Sequence, residues 1–553
     1  MFLSRLTAGV ALAALAPLAA LTAQSAELPL KLAPRPTEAA ITPADLMTRL
    51  YRIADDSMGG RPTGSDGHVM VTNYLAAEAR RMGLRPAGTN GSYFQDLPMM
   101  RRGFSPKSAV VVGATRFEIG DAFGALLPRG GAINAVPSAD VIVGGVVGDS
   151  TTWITADQAR GKIVVMRSHG RSAPMSTRGL TITPTSRFAG AAAYVIPMWD
   201  AIPANFRRSM AQPSISMGGS GASVPVAPTL LASGAMVDAL IARAGEKATL
   251  ALEYTETPAV ARNVVAVLPG SDPRLAGQYV SIGAHTDHDP ELAAGVDHDS
   301  LRAMAGLRAK LVASMPAGQR PTPQQVADLR VNVDSLRTIR PARSDRIKNG
   351  ADDDGSGTVS LLEIAEAMAA SGIHPKRSVL FVWHAAEELG LLGAAYFTEN
   401  PTVPLDSVVA NLNMDMVGRG GVDDIAGGGS RYVQLVGSRR LSRELGDLVE
   451  AVNARRASPF IFDYSLDADG HPERIYCRSD HAMYARYGVP VTFFTTGLHV
   501  DYHQVTDEPQ YIQYDKFAEL TQLVHDVARE LADRAARPKL DGPKPDPKAA
   551  CRQ

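Results

Sequence analysis

From residue 261 onward, short unbroken apolar runs alternate with segments whose apolar residues recur every three to four positions. The runs are NVVAVLPG, QYVSIGAHTD, SVLFVWHAAEE, VVANLNMDMVG and VPVTFFTTG. Apolar runs of this length predict strands buried on both faces. TVSLLEIAEAMAASG and DKFAELTQLVHDVARELADRAA carry the helical period. The alternation predicts an α/β fold built on a doubly wound mixed sheet.

Two other textures flank this pattern. Residues 42–98 read as helices and loops: ITPADLMTRLYRIADD opens on Thr42, a residue suited to cap a helix. A glycine-rich loop, GRPTGSDG, then leads into an amphipathic helix. Between 108 and 255 the runs SAVVVG, ADVIVGGVVG, GKIVVMRS, AAAYVIPM and ATLALEY are broken by Gly, Pro and Ser, which predicts a separate β-rich unit. Residues 289–345 form a polar, largely helical insertion inside the α/β part. The expected division is 27–107 and 256–537 for the α/β domain, with 108–255 inserted between its parts.

At 553 residues the chain is long enough for two or three folded units. Lys+Arg number 56 and Asp+Glu 57, a net charge of -1, which gives no footprint for nucleic acid or an anionic membrane. Residues 1–26, with one Arg before a short apolar run and small residues at its end, have the pattern of a cleaved secretory signal. The expected product is exported, periplasmic or secreted, with no lipid or membrane anchor. The Lys/Pro-rich residues 538–553 are expected to be disordered, and no bridge is expected between the two cysteines, Cys477 and Cys551.

In an open α/β sheet, ligands gather beyond the carboxyl ends of the strands. Four of the five runs are followed by a metal-binding type: His285 and Asp287, Glu387 and Glu388, Asp415, and His503. The loop NGADDDGSGT places Asp352, Asp353 and Asp354 before a helix. Histidine with carboxylate suits Zn²⁺, and a glycine-flanked aspartate can approach two ions about 3.5–4 Å apart. Asp354 or Ser356 is placed to cap the following helix.

AHTDH, NGADDDGSGT, AAEELGLLGA, NMDMVG, SDHAMYARYGVP and YHQVTDEP occur in that order. Together they resemble the co-catalytic zinc aminopeptidase family, whose relatives include bacterial leucyl aminopeptidases, glutamate carboxypeptidase, glutaminyl cyclases and the transferrin receptor. The resemblance covers about 261–535, and the inserted unit is similar to a protease-associated domain. It implies two Zn²⁺ ions: one on His285, Asp353 and Asp415, the other on Asp353, Glu388 and His503, with Asp353 as bridge. It further implies Glu387 as general base, Asp287 orienting His285, and Tyr476 stabilising the oxyanion. His288, Asp289, Asp297, His298 and Asp299 open the insertion and are expected to stay outside the ligand set, and His384 is expected to be packed.

The function so implied is removal of N-terminal residues from peptide substrates. A carboxypeptidase of the same architecture would need cations for the substrate carboxylate, for which Arg478 and Arg419 lie near the motifs. A non-catalytic binding protein would lack ligands, and a cyclase would use one zinc. The sequence leaves the oligomeric state and the side-chain preference open.

Overall fold

A computed structural model describes residues 28–127, 133, 136–168, 187–218, 226–315, 321–425 and 427–553. The expected secretory signal at 1–26 lies outside the described residues. The α/β domain is built on a nine-stranded sheet. Four of its strands, Ser378–His384, Tyr279–His285, Val408–Met414 and Val491–Thr495, lie side by side and parallel. Arg262–Leu268 runs antiparallel beside the first, and Tyr432–Val436 antiparallel beside the last. The mixed, doubly wound sheet expected from the apolar runs is thus present.

Every residue of the Tyr279–His285, Ser378–His384 and Val408–Met414 strands is buried. Helices cover both faces, which is why these strands carry no polar alternation. Leu46, Leu50, Leu75, Leu361, Phe517 and Val524, from helices Pro43–Ile53, Asp66–Arg81, Gly357–Ala370 and Tyr514–Asp533, pack on one face. Phe397 and Tyr484 pack with Val265, Leu380 and Val382 on the other. Thr42 caps the first helix as expected, its Oγ1 accepting from the Asp45 amide at 3.1 Å, with Pro43 in the first turn. Arg49 of that helix is fully buried and bonded to Glu363 and Glu366, which fixes it to the helix that follows the triple-aspartate loop.

A second, eight-stranded sheet is made from residues between Ala109 and Ala251. It has its own core, including Val110, Val165, Val195 and Leu230. The chain passes from the α/β part to this sheet through Met99–Phe104 and returns through Tyr254–Ala259; the two strands pair antiparallel in a small third sheet. The 289–345 insertion folds as helices His298–Ala313, Pro323–Ala327 and Val333–Ile339. Its ends are joined where Val296–Asp297 pairs with Ser344–Asp345.

The structure differs from the expectation at residues 538–553. Cys477 and Cys551 form a disulfide with Cα atoms 5.8 Å apart, where no bridge was expected. The Asp541 amide donates to Leu441 O at 3.0 Å, and Lys544 Nζ donates to Asp406 at 2.8 Å. Gln553 Oε1 accepts from the Tyr476 amide at 2.9 Å. The segment has too little apolar area to order itself; its order comes from a covalent bond and from polar contacts with distant residues.

Candidate metal centre

The parallel strands bring the candidate residues to one edge. His285 is the last residue of its strand, Glu387 and Glu388 follow the neighbouring strand, and Asp415 directly follows Met414. His503 arrives on the loop after Val491–Thr495, with a φ of 57°.

Asp353 stands between two histidines. Its Oδ1 lies 3.2 Å from His285 Nε2 and its Oδ2 lies 3.1 Å from His503 Nε2. Asp415 Oδ1 is 3.7 Å from His285 Nε2, and Glu388 Oε2 is 3.3 Å from His503 Nε2. Glu387 Oε2 is 4.0 Å from His285 Nε2. The structure therefore gathers all five expected ligands and the expected base. Asp353 Oδ2 and His503 Nε2 are buried and have no well-aligned hydrogen-bond partner among the described residues. Orphaned acceptors facing an imidazole are costly in a dry site and fit a bound cation, and the His/carboxylate donor set suits zinc.

The other two aspartates of the loop hold backbone. Asp354 Oδ1 accepts from the Gly357 amide at 2.8 Å, capping Gly357–Ala370, while its Oδ2 accepts from the His285 amide at 3.0 Å. Asp352 Oδ1 accepts from the Gly418 amide at 2.6 Å, in the loop behind Asp415. Asp507 in turn accepts from the amides of Asp352 and Asp353 at 3.0 and 3.1 Å. Ser356, the other capping candidate, donates its hydroxyl to Asp352 O at 2.7 Å. The GRPTGSDG loop has a role as well: buried Arg61 donates to Thr286 O at 3.0 Å and to Gly350 O at 2.8 Å, tying together the loops that carry His285 and Asp353.

The electrostatics follow from crowding. Burial opposes charge on His285, but Glu387, Asp415 and Asp353 raise its pKa well above the ordinary imidazole value. Burial raises the pKa of Glu387 well above the carboxylate range, with Asp415, Asp480 and Glu388 adding to it. Burial also opposes charge on His503, yet Asp289 and Asp353 pull its pKa up to about 10. A bound cation would take the place of these protons and reverse the pattern.

Two expected roles are placed differently. The Asp287 carboxylate does not hold His285: His285 Nδ1 bonds to the Asp287 backbone oxygen at 3.0 Å, and the nearer carboxylate oxygen is 3.9 Å away. The side chain instead accepts from the Glu387 amide at 3.1 Å and from Thr63 Oγ1 at 3.0 Å. Tyr476 does not line the cavity beside the centre; its ring sits under the Arg440 guanidinium at 4.3 Å and edge-on to His481. Its neighbours Ile475 and Arg478 do line that cavity, with Leu466, Phe493, Leu498 and Tyr502. The one tyrosine among the lining residues is thus Tyr502. Its hydroxyl accepts from Arg478 at 3.2 Å and its ring lies 4.0 Å from that of His503. Its position directly before a candidate ligand was the available signal.

Among the residues set aside, Asp297 pairs with Arg337, and His298 bonds Asp345 at 2.9 Å within the insertion's base. Asp299 lies 3.8 Å from Arg340. His384 is fully buried and reaches the Tyr484 hydroxyl at 3.2 Å, so it is packed as expected. Asp289 is different: it is 3.3 Å from His503 Nδ1 and 2.7 Å from Lys348, so it orients a candidate ligand. His288 also belongs to the centre, 2.7 Å from Glu388 Oε1, against expectation. The insertion's first residues fold back over the site before its helices begin. Ser479, unremarked in the sequence, donates to Asp415 Oδ2 at 2.7 Å.

Residues 263–528 match the model of peptidase family M28. The chain is 40% identical over 70 residues to leupeptin-inactivating enzyme 1 of Streptomyces exfoliatus, covering 12% of this chain and 16% of that one. It is 29% identical over 195 residues to leucine aminopeptidase 1 of Aspergillus fumigatus, covering 33% of this chain and 47% of the relative. The chain thus spans less than half the length of these curated relatives. The solved aminopeptidase from Aneurinibacillus sp. strain AM-1 aligns with 91% of this chain and 97% of its own, at 16% identity and a TM-score of 0.46.

Proposed function

We propose, from a chain whose residues 263–528 form a peptidase family M28 domain, that this protein is a two-zinc aminopeptidase that hydrolyses the N-terminal bond of peptides. The observation that carries the reading is Asp353, with one oxygen toward His285 and the other toward His503, beside Glu387 at the mouth of a cavity.

His285, Asp353 and Asp415 would hold one ion; Asp353, Glu388 and His503 would hold the other. Bound zinc supplies a lowered pKa for water and Lewis-acid polarisation of the scissile carbonyl. Glu387 takes the proton of the attacking water at its carboxylate and delivers it to the departing amine. Asp287 steadies Glu387 through the main chain. Tyr502, with Arg478 behind its hydroxyl, donates to the developing oxyanion.

The carboxypeptidase alternative loses one of its two cations. Arg419 is fully buried and bonded to Asp424 and, at 3.1 Å, to Asp501, so it cannot meet a substrate. Arg478 remains at the cavity but is shared with Glu473 at 3.3 Å. We read the sheet of 109–251 as an inserted domain of protease-associated type, and the protein as exported, a reading the disulfide supports. No helix among the described residues is long and apolar enough to cross a membrane.

The test is zinc content and hydrolysis of aminoacyl-anilides by the wild type and Glu387→Ala. Two zincs in both proteins, with kcat reduced about 10²–10⁴-fold in the variant, are expected. Zinc without anilide hydrolysis, but with cleavage of N-blocked peptides, would move the assignment to the carboxypeptidase.

A further inference from the structure

His288 has no place in the ligand sets above, yet its side chain is fully buried inside the centre. Its Nδ1 is 2.7 Å from Glu388 Oε1 and 3.7 Å from Asp353 Oδ2. Its ring meets that of His503 edge-on at 89°, with centroids 5.3 Å apart. His503 Nε2 is 3.1 Å from the same Asp353 oxygen and 3.3 Å from Glu388 Oε2. A tetrahedral zinc with bonds of about 2.0–2.1 Å sets its ligand atoms roughly 3.3 Å apart. The donors of His288, Asp353, Glu388 and His503 all lie within 4.8 Å of one another, and the measured separations bracket that tetrahedral edge. The ring has little freedom: Gly350, at φ 54°, lies so close that a Cβ there would come 2.6 Å from two ring carbons.

We propose that His288 is itself a metal ligand through Nδ1, closing the second position as a four-ligand site of His288, His503, Asp353 and Glu388. The inference rests on the two-zinc reading. It makes the two positions different in kind. Zinc sites with four protein ligands are closed, and those with three keep a place for water or substrate. The His285, Asp353 and Asp415 position keeps that place, next to Glu387, so Glu387 meets its water there. The His288 side holds Asp353 in place and offers no free coordination. With Nδ1 committed to metal, the proton resides on Nε2, a buried atom that has no hydrogen-bond partner among the described residues.

The test is proton NMR of the cobalt-substituted protein, in which imidazole N–H signals of coordinated histidines are shifted far from the rest. Three such signals are expected in the wild type, from His285, His288 and His503, and one fewer in His288→Ala. Calorimetry should show one metal-binding step weakened about 10–100-fold or more in the variant, with the other unchanged. His288→Gln serves as the second variant should the alanine protein not fold. Full cobalt uptake with the same shifted signals in wild type and variant would overturn the ligand assignment and reduce His288 to a hydrogen-bond partner of Glu388. That result would leave the two-metal reading standing. Failure of the wild type to take up metal would overturn both.

Discussion

The backbone amide of Glu387 donates to Asp287 Oδ1 across 3.1 Å. The carboxylate that the sequence assigns to a histidine therefore steadies Glu387, the proposed general base, while His285 is held by the Asp287 main-chain oxygen at 3.0 Å. The two functions are separable. Asp287→Ala leaves the backbone acceptor in place, so zinc content should be unchanged while kcat falls about 10–100-fold. Loss of zinc with unchanged turnover per bound zinc would return Asp287 to the role of orienting His285.

Tyr502 and Tyr476 make opposite predictions. Tyr502 lines the cavity and Tyr476 packs behind its wall. Tyr502→Phe should lower kcat about 10²–10³-fold, the usual loss for one oxyanion donor, with little change in KM. Tyr476→Phe should change kcat less than about twofold. Steady-state kinetics on one anilide substrate distinguish them, and the reverse ranking would assign the oxyanion to Tyr476.

Asp480 is fully buried, and neither carboxylate oxygen has a hydrogen-bond partner among the described residues. Burial, with Asp415 and Asp287 nearby, raises its pKa to about 8. The folded state therefore keeps a proton that the unfolded chain releases near pH 4. The wild type should lose stability from this group as pH rises from about 4 to 8, and level off above that. Asp480→Asn removes the titration. In metal-free protein, denaturant unfolding at pH 5 and pH 8 should show the variant gaining on the wild type by a few kcal/mol, on the order of 1.4 per pKa unit. A difference independent of pH would mean that Asp480 ionises normally.

Chelation should destabilise the fold as well as stop the reaction. Removing metal leaves Asp353, Glu387, Glu388 and Asp415 crowded on one strand edge around His285 and His503. A ligand bound only by the folded state adds about 4 kcal/mol at a thousandfold excess over its Kd. Thermal unfolding should shift down after dialysis against a chelator and return with added zinc. An unchanged transition would argue against a metal at this edge.

The fold was legible where burial imposes a simple pattern. Strands covered on both faces need unbroken apolar runs, so SVLFVWH and VVANLNM announce central parallel strands, and the residues after them announce the site. The triple aspartate was legible in kind, since a glycine-flanked carboxylate before a helix is either ligand or cap; the structure sets Asp353 between His285 and His503 and uses Asp354 as the cap. Loop side chains follow no period, so their direction was hidden. The sequence expectation falls on Tyr476 and leaves Tyr502 unweighed, and the turn at Ile475–Cys477 places Tyr476 behind the wall. His288 was discounted for standing where an insertion begins, although its ring turns back into the centre. The order of residues 538–553 depends on a bond to a residue 74 positions away, which local composition does not record.

That bond also changes the connectivity of the protein. Cys477 and Cys551 close a covalent ring around the segment that carries Arg478, Ser479, Tyr502, His503 and the helix Tyr514–Asp533. A single cut in the main chain anywhere inside the ring opens it without releasing either piece. Among other peptidases, a molecule nicked in the His503 loop would keep both arms of that loop covalently attached, one through the main chain and one through the disulfide, and the loop could settle back onto its partners.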